Sequence, residues 1–135
     1  MKCKIADFNF NINNLNEYIS KQTKKYAVDS CDADFSFENT QEDIENERKL
    51  SVGKFGDGYI ESIATYRKIA EWIPLHNAFL LHSACFDVDG VGIAFAAHSG
   101  TGKTTHMRLW QEYLGDRMTV VNGDKPIGRF LDNAG

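Results

Sequence analysis

The sequence has little that would tie it to a disulfide framework, a nucleic-acid surface or a membrane. Its three cysteines, Cys3, Cys31 and Cys85, stand far apart and form no C-x-x-C pair. Neither a zinc site nor a disulfide scaffold is indicated, and the expected state is idle or buried thiols in a reducing compartment. Basic charge is not in excess: 15 Lys and Arg face 19 Asp and Glu, giving a net charge of −4. That argues against a partner read through a basic surface, and so against nucleic acid. Long apolar runs are missing too. Stretches such as Ala78 to Leu81 fall far short of the ~20 residues that a spanning helix needs. The opening MKCKIADFNFNIN has no apolar segment of the signal-peptide kind. A cytoplasmic protein with no membrane partner is the expectation. There are only 2 prolines, and no repeat or low-complexity tract.

What is present is an ordinary globular composition, 42% hydrophobic and 25% charged over 135 residues, enough for one domain with a modest core. Residues 2–12 alternate partly and read as one half-exposed strand, 15–25 as a short helix, and 32–38 as a second strand through Ala33, Phe35 and Phe37. The acidic run over 29–47 lacks calcium-loop spacing. It reads as a solvated strand face entering a helix at 41–50, with Thr40 as N-cap and Asp43 three residues on. Gly53, Gly56 and Gly58 mark the best internal boundary. The expected organisation is therefore a 1–56 segment packed with a 57–135 region, the two forming one compact domain. Apolar residues at Tyr59, Ile60, Ile63, Tyr66, Ile69, Ala70 and Ile73 predict a helix over 58–73, stopped by Pro74.

After Pro74 the pattern turns to strands. Residues 78–88 read as one strand, Asp89-Gly90 as a hairpin turn, and 91–96 as its partner. A helix over about 103–114, closed by Gly115, and a strand at 118–121 follow. Between the 91–96 strand and that helix lies Ala97-His-Ser-Gly-Thr-Gly-Lys-Thr104. It matches the phosphate-binding pattern G-x-x-x-x-G-K-[ST], with Ala97 in place of the first glycine. The chemistry needs those residue types. Gly100 and Gly102 let the chain wind so that backbone N–H groups of Ser99, Gly100, Thr101 and Gly102 face phosphate oxygens. Lys103 supplies a charge to the β- and γ-phosphates, and Thr104, with Thr105 beside it, begins a helix whose positive end favours the same anions. The implied ligands are a nucleoside triphosphate, ATP or GTP, and Mg²⁺ on the Thr104 hydroxyl. Such a site also needs a carboxylate for the metal, and Asp124, just past the 118–121 strand, fits. His82, His98, His106 and Arg108 are near the motif in sequence but read as core or surface residues.

From His82 to Asp124 the chain resembles the HPr kinase/phosphorylase family and its phosphoenolpyruvate carboxykinase relatives. The run His82-Ser-Ala-Cys-Phe-Asp87-Val-Asp-Gly90-Val-Gly92, then Ile93 to Ala96, then Ser99-Gly-Thr-Gly-Lys-Thr104, follows their order without a gap. Ser99 to His106 and Asn122-Gly-Asp-Lys-Pro126 also look like segments of HPr-kinase-like bacterial proteins. The resemblance implies an α/β fold with a parallel or mixed sheet, the P-loop lying between strand and helix. It implies phosphoryl transfer to a hydroxyl, on a protein or a small molecule, and makes His82 an active-site neighbour and Asp124 part of an acidic pair.

Two departures weigh against turnover. Asp124 is flanked by Gly123 and Lys125 where the families have two adjacent carboxylates, and Thr105 stands where HPr kinases have Glu. The chain also ends at Gly135, eleven residues after Asp124, whereas the related folds continue. A truncated gene, a pseudo-kinase and a fragment are the alternatives, and an open edge or apolar face near 118–130 would then favour self-association. Three functions stay open: an HPr-kinase-like phosphotransferase, a nucleotide-binding or interaction module without turnover, and a relic loop that binds nothing.

Overall fold

The computed structural model of the chain describes residues 1–131; residues 132–135 lie outside them. It is a mixed α and β structure, with four helices among the described residues, that divides into two compact units, Met1–His76 and Asn77–Gly135.

In the first unit the expected single strand over 2–12 is a hairpin. Strands β1 (Lys2–Ile5) and β2 (Phe8–Asn13) pair antiparallel through Ala6 and Asp7, both at positive φ, 51° and 62°. Two left-handed residues make the tight turn whose twist matches its strands. Asp tolerates that region, and Ala accepts it at a cost of about 1–2 kcal/mol. Strand β3 (Phe35–Glu38) joins β2 in parallel, so this small sheet is mixed. Alternation along β2 buries Phe8, Phe10 and Ile12, and Trp72 lies against that face, stacked on Phe35 at 4.9 Å.

Helices α1 (Glu17–Thr23), α2 (Gln41–Leu50) and α3 (Asp57–Trp72) complete the unit. The two compact units divide after His76, so α3 belongs with the elements before it. The cause is packing: α3 buries Ile60, Ala64 and Ile69, and ties itself to earlier elements through Glu61 to Asn16, Arg67 to Glu47, and Lys68 to Asp43 at 2.7 Å.

The start of α2 follows the sequence pattern. The Thr40 hydroxyl accepts from the Asp43 amide at 3.2 Å while the Asp43 carboxylate accepts from the Thr40 amide at 2.8 Å, a reciprocal cap. Partial burial pushes the Asp43 carboxyl up, but hydrogen bonds from Lys68 and Thr40 outweigh it and hold the group below its ordinary 3.8. A carboxyl depressed in the folded state stabilises above its unfolded pKa, and that contribution disappears as pH falls through the folded one. Stability should therefore drop below about pH 4, and Asp43→Asn should flatten that part of the pH profile. Thr40→Ala should cost about 1 kcal/mol in urea unfolding.

In the second unit the expected 78–88 strand is two strands. Strand β4 (Ala78–Leu80) pairs antiparallel with β8 (Ile127–Arg129), whereas β5 (Ser83–Val88) lies between β6 (Val91–Ala96) and β7 (Met118–Asn122). The chain changes partners at Leu81-His82, where the Leu81 amide bonds the Pro126 carbonyl at 3.0 Å and the Ser83 amide bonds the Asp124 carbonyl at 2.9 Å. The Asp89-Gly90 hairpin is as expected, with φ of 52° and 87°, and Asp87 caps it by accepting from the Gly90 amide.

The sheet β6-β5-β7 is antiparallel throughout, so the parallel or mixed arrangement expected beside the loop is not found there. A hairpin followed by a strand on the other side of β5 gives that order, with α4 (Lys103–Leu114) crossing one face. Ala84, Phe86, Met107 and Met118 form the core of this unit, joined by Val88, Ile93, Phe95, Trp110 and Leu114. Strand β7 is an edge of the sheet, with Val120 and Val121 exposed along it; Phe130 and Leu131, also exposed, follow β8 in the other sheet. No helix among the described residues is long and apolar enough to cross a membrane.

Candidate functional site

The loop between β6 and α4 gets its shape from its glycines. Gly100 and Gly102 have φ of 82° and 91°, a region that side chains other than glycine's enter only with strain. A Cβ on either would meet nothing within 4 Å, so backbone conformation, not crowding, demands glycine there. Gly102 is also the N-cap of α4, and no side chain caps the helix. Its first-turn amides, at Lys103, Thr104 and Thr105, thus face outward at the positive end of a 12-residue helix with no acidic residue in its first turn. Thr101 instead closes the loop on itself, its hydroxyl donating to the His98 carbonyl at 2.8 Å.

Lys103 folds back over the loop. Its Nζ donates to the Ala97 carbonyl at 2.8 Å and the His98 carbonyl at 3.2 Å. An ammonium has three N–H donors, so one is left for an incoming acceptor.

Facing this loop is the Asn122–Pro126 turn. The Asn122 side-chain oxygen accepts from the amides of Asp124 and Lys125, both at 2.9 Å, an Asx-type turn that fixes where Asp124 stands. Asp124 Oδ1 lies 3.2 Å from His82 Nε2, and its Oδ2 accepts from Lys125 Nζ at 2.6 Å. The residues His82, Ser99, Gly100, Gly102, Lys103, Thr104, Thr105, Gly123 and Asp124 line one open cleft of about 350 Å³, within the range of small-ligand sites. Thr101 faces a second cleft instead, together with His106. His98 and Arg108 are exposed and line neither.

Sequence reasoning missed Asn122 and Lys125. The Asn-Gly-Asp triplet does carry the Asx-turn signal for the first. Nothing local announces that Lys125 turns back onto its neighbour.

The residues present suit a magnesium-bound phosphate better than a metal bound by protein alone. No group of three or more His, Cys, Asp and Glu suited to a metal ion occurs among the described residues. Mg²⁺ needs no such cage, since it binds through one or two carboxylates plus waters and phosphate oxygens. Asp124 and the Thr104 hydroxyl, which line the same cleft, are the groups that could hold such an ion, and the uncapped turn of α4 is where a phosphate could sit. The cysteines take no part: burial pushes the Cys3 thiol up to about 11 and raises Cys85 as well, and all three are free. No protein-family model, no curated protein and no solved structure matches the chain.

Proposed function

We propose that the chain is a cytoplasmic, HPr-kinase-like protein that binds ATP or GTP with Mg²⁺ through a P-loop at Ala97–Thr104. The carrying observation is the convergence on one cleft of a left-handed glycine pair, an uncapped helix start, Lys103 and the His82–Asp124 pair. Amides of Ser99, Gly100, Gly102, Thr104 and Thr105 hold the phosphates and Lys103 neutralises them, while Thr101 keeps the loop closed through His98. Thr104 and Asp124 hold Mg²⁺, which supplies charge neutralisation on the phosphate oxygens. His82 orients Asp124 or takes the proton of an acceptor hydroxyl, on a protein or a small molecule, as phosphoryl transfer requires.

Ligand that binds only the folded state stabilises it. Mg·ATP or Mg·GTP at a hundred times its dissociation constant should add about 2.7 kcal/mol, read as a raised melting temperature over Mg²⁺ alone. An unchanged melting temperature at millimolar Mg·ATP and Mg·GTP would leave the loop as a relic.

A second reading, nucleotide binding without turnover, is favoured by one observation. Asp124 is the sole carboxylate lining the cleft among the described residues, and both its oxygens are already engaged, by His82 and Lys125. Metal ligation would then have to compete with both of those contacts, and no second carboxylate among the described residues shares the work. Self-association along the open β7 edge, where Val120 and Val121 are exposed, would bring a second copy to this face. ATP turnover measured at several protein concentrations, alongside sizing, separates the readings: turnover by a monomer supports the kinase, and binding without turnover supports the module.

A further inference from the structure

The second cleft at the loop has a different chemistry from the first. It holds about 430 Å³ and is lined by Ala94, Phe95, Ala96, Ala97, Thr101 and His106, sharing Gly102 and Lys103 with the phosphate cleft. Its walls are methyl groups and two rings, Phe95 and His106, packed edge to face with centroids 4.5 Å apart. Both rings have further neighbours. Phe95 is wedged against Phe86 and Trp110, and the Trp110 indole N–H donates to His106 Nε2 at 3.1 Å. An indole N–H only donates, so Nε2 must accept, and the neutral His106 ring carries its proton on Nδ1. The result is an exposed aromatic face, braced by Trp110 and Phe95, with one ring N–H donor, on the helix turn that starts at Lys103.

We infer that this cleft is the nucleobase subsite, with the base of the bound nucleotide stacking on His106 between the loop and the Phe95 ring. The inference rests on the proposed phosphate site and extends it. A nucleoside triphosphate is a polyanion joined to a flat, uncharged ring, and the loop carries a polar, cationic cleft joined at Gly102 and Lys103 to an apolar, aromatic one. Among the described residues Lys103 is the one charged side chain lining the second cleft, and it is shared with the first. An uncharged ring fits there better than another phosphate. Base-on-aromatic stacking tolerates any base, so this subsite strengthens binding without itself choosing between ATP and GTP.

The test compares Mg·ATP with Mg·tripolyphosphate, which has the phosphates and no base, on the full chain and on two variants. His106→Ala should weaken Mg·ATP about tenfold and leave Mg·tripolyphosphate unchanged. His106→Tyr, which keeps a stacking face, should retain most of the Mg·ATP affinity. Trp110 emission should respond to Mg·ATP and not to Mg·tripolyphosphate, because only the former reaches the ring it bonds. Circular dichroism of both variants checks that the unit stays folded. Loss of both ligands alike in His106→Ala, or loss of neither, would overturn the base subsite while leaving the phosphate site standing. Failure of the unaltered chain to bind either ligand would overturn the phosphate site, and the subsite with it.

Discussion

Lys103→Ala should weaken Mg·ATP about a hundredfold and leave the free protein folded. The binding loss follows from what the ammonium would contribute: a charge-assisted hydrogen bond to phosphate is worth about 1.5–3 kcal/mol, and removing it leaves the polyanion under-neutralised. The small folding cost follows from where the side chain sits. Lys103 bonds the Ala97 and His98 carbonyls, both in an exposed loop where water can replace it. The attraction between this exposed ammonium and a polyanion is screened by salt, so affinity should fall with ionic strength. Calorimetric titration beside urea unfolding separates the two effects. Equal Mg·ATP affinity in variant and parent would show that the ammonium does not reach the phosphates.

Glu61→Leu should destabilise the first unit by about 3 kcal/mol. Glu61 is fully buried, and its carboxylate accepts from the Leu15 amide at 2.5 Å, the Asn16 amide at 2.7 Å and the Asn16 side-chain amide at 2.9 Å. Those donors stand at the entry to α1, whose N-cap Asn16 makes no cap of its own. One buried carboxylate thus fixes the connection between β2 and α1 and places negative charge at the positive end of that helix. Leucine matches the volume but removes every acceptor, leaving the donors unmet. Glu61→Gln keeps one acceptor oxygen and sets an NH₂ against N–H donors, so its cost should be intermediate. Urea midpoints within experimental error of the parent for Glu61→Leu would mean that water reaches these amides unaided.

Elements decided by local chemistry were legible in the sequence. The Thr40–Asp43 cap, the Asp89-Gly90 hairpin and the α4 start at Lys103 each depend on residues within a few positions. The Ala6-Asp7 turn was not legible, because it reaches positive φ without Gly or Asn. The break at Leu81-His82 was hidden for another reason: the apolar pattern runs on while the hydrogen-bonding partners change from β8 to β6 and β7. The division after His76 was not legible, because the glycines at 53, 56 and 58 mark a loop, whereas membership of α3 is decided by partners 20 to 46 residues away, such as Glu47, Asp43 and Leu15. The candidate site divides in the same way. The loop announces itself through its glycines and lysine, while the approach of His82 to Asp124 spans two segments and depends on how β5 and β7 pair.

Titration of the full chain with ATP, with and without Mg²⁺, tests the central claim most directly. Saturable one-site binding that tightens with Mg²⁺ is the predicted result, and Asp124→Asn should abolish the tightening while keeping the Mg²⁺-free affinity. Absence of saturable binding at millimolar ATP in both conditions would contradict the account, whatever the geometry of the loop.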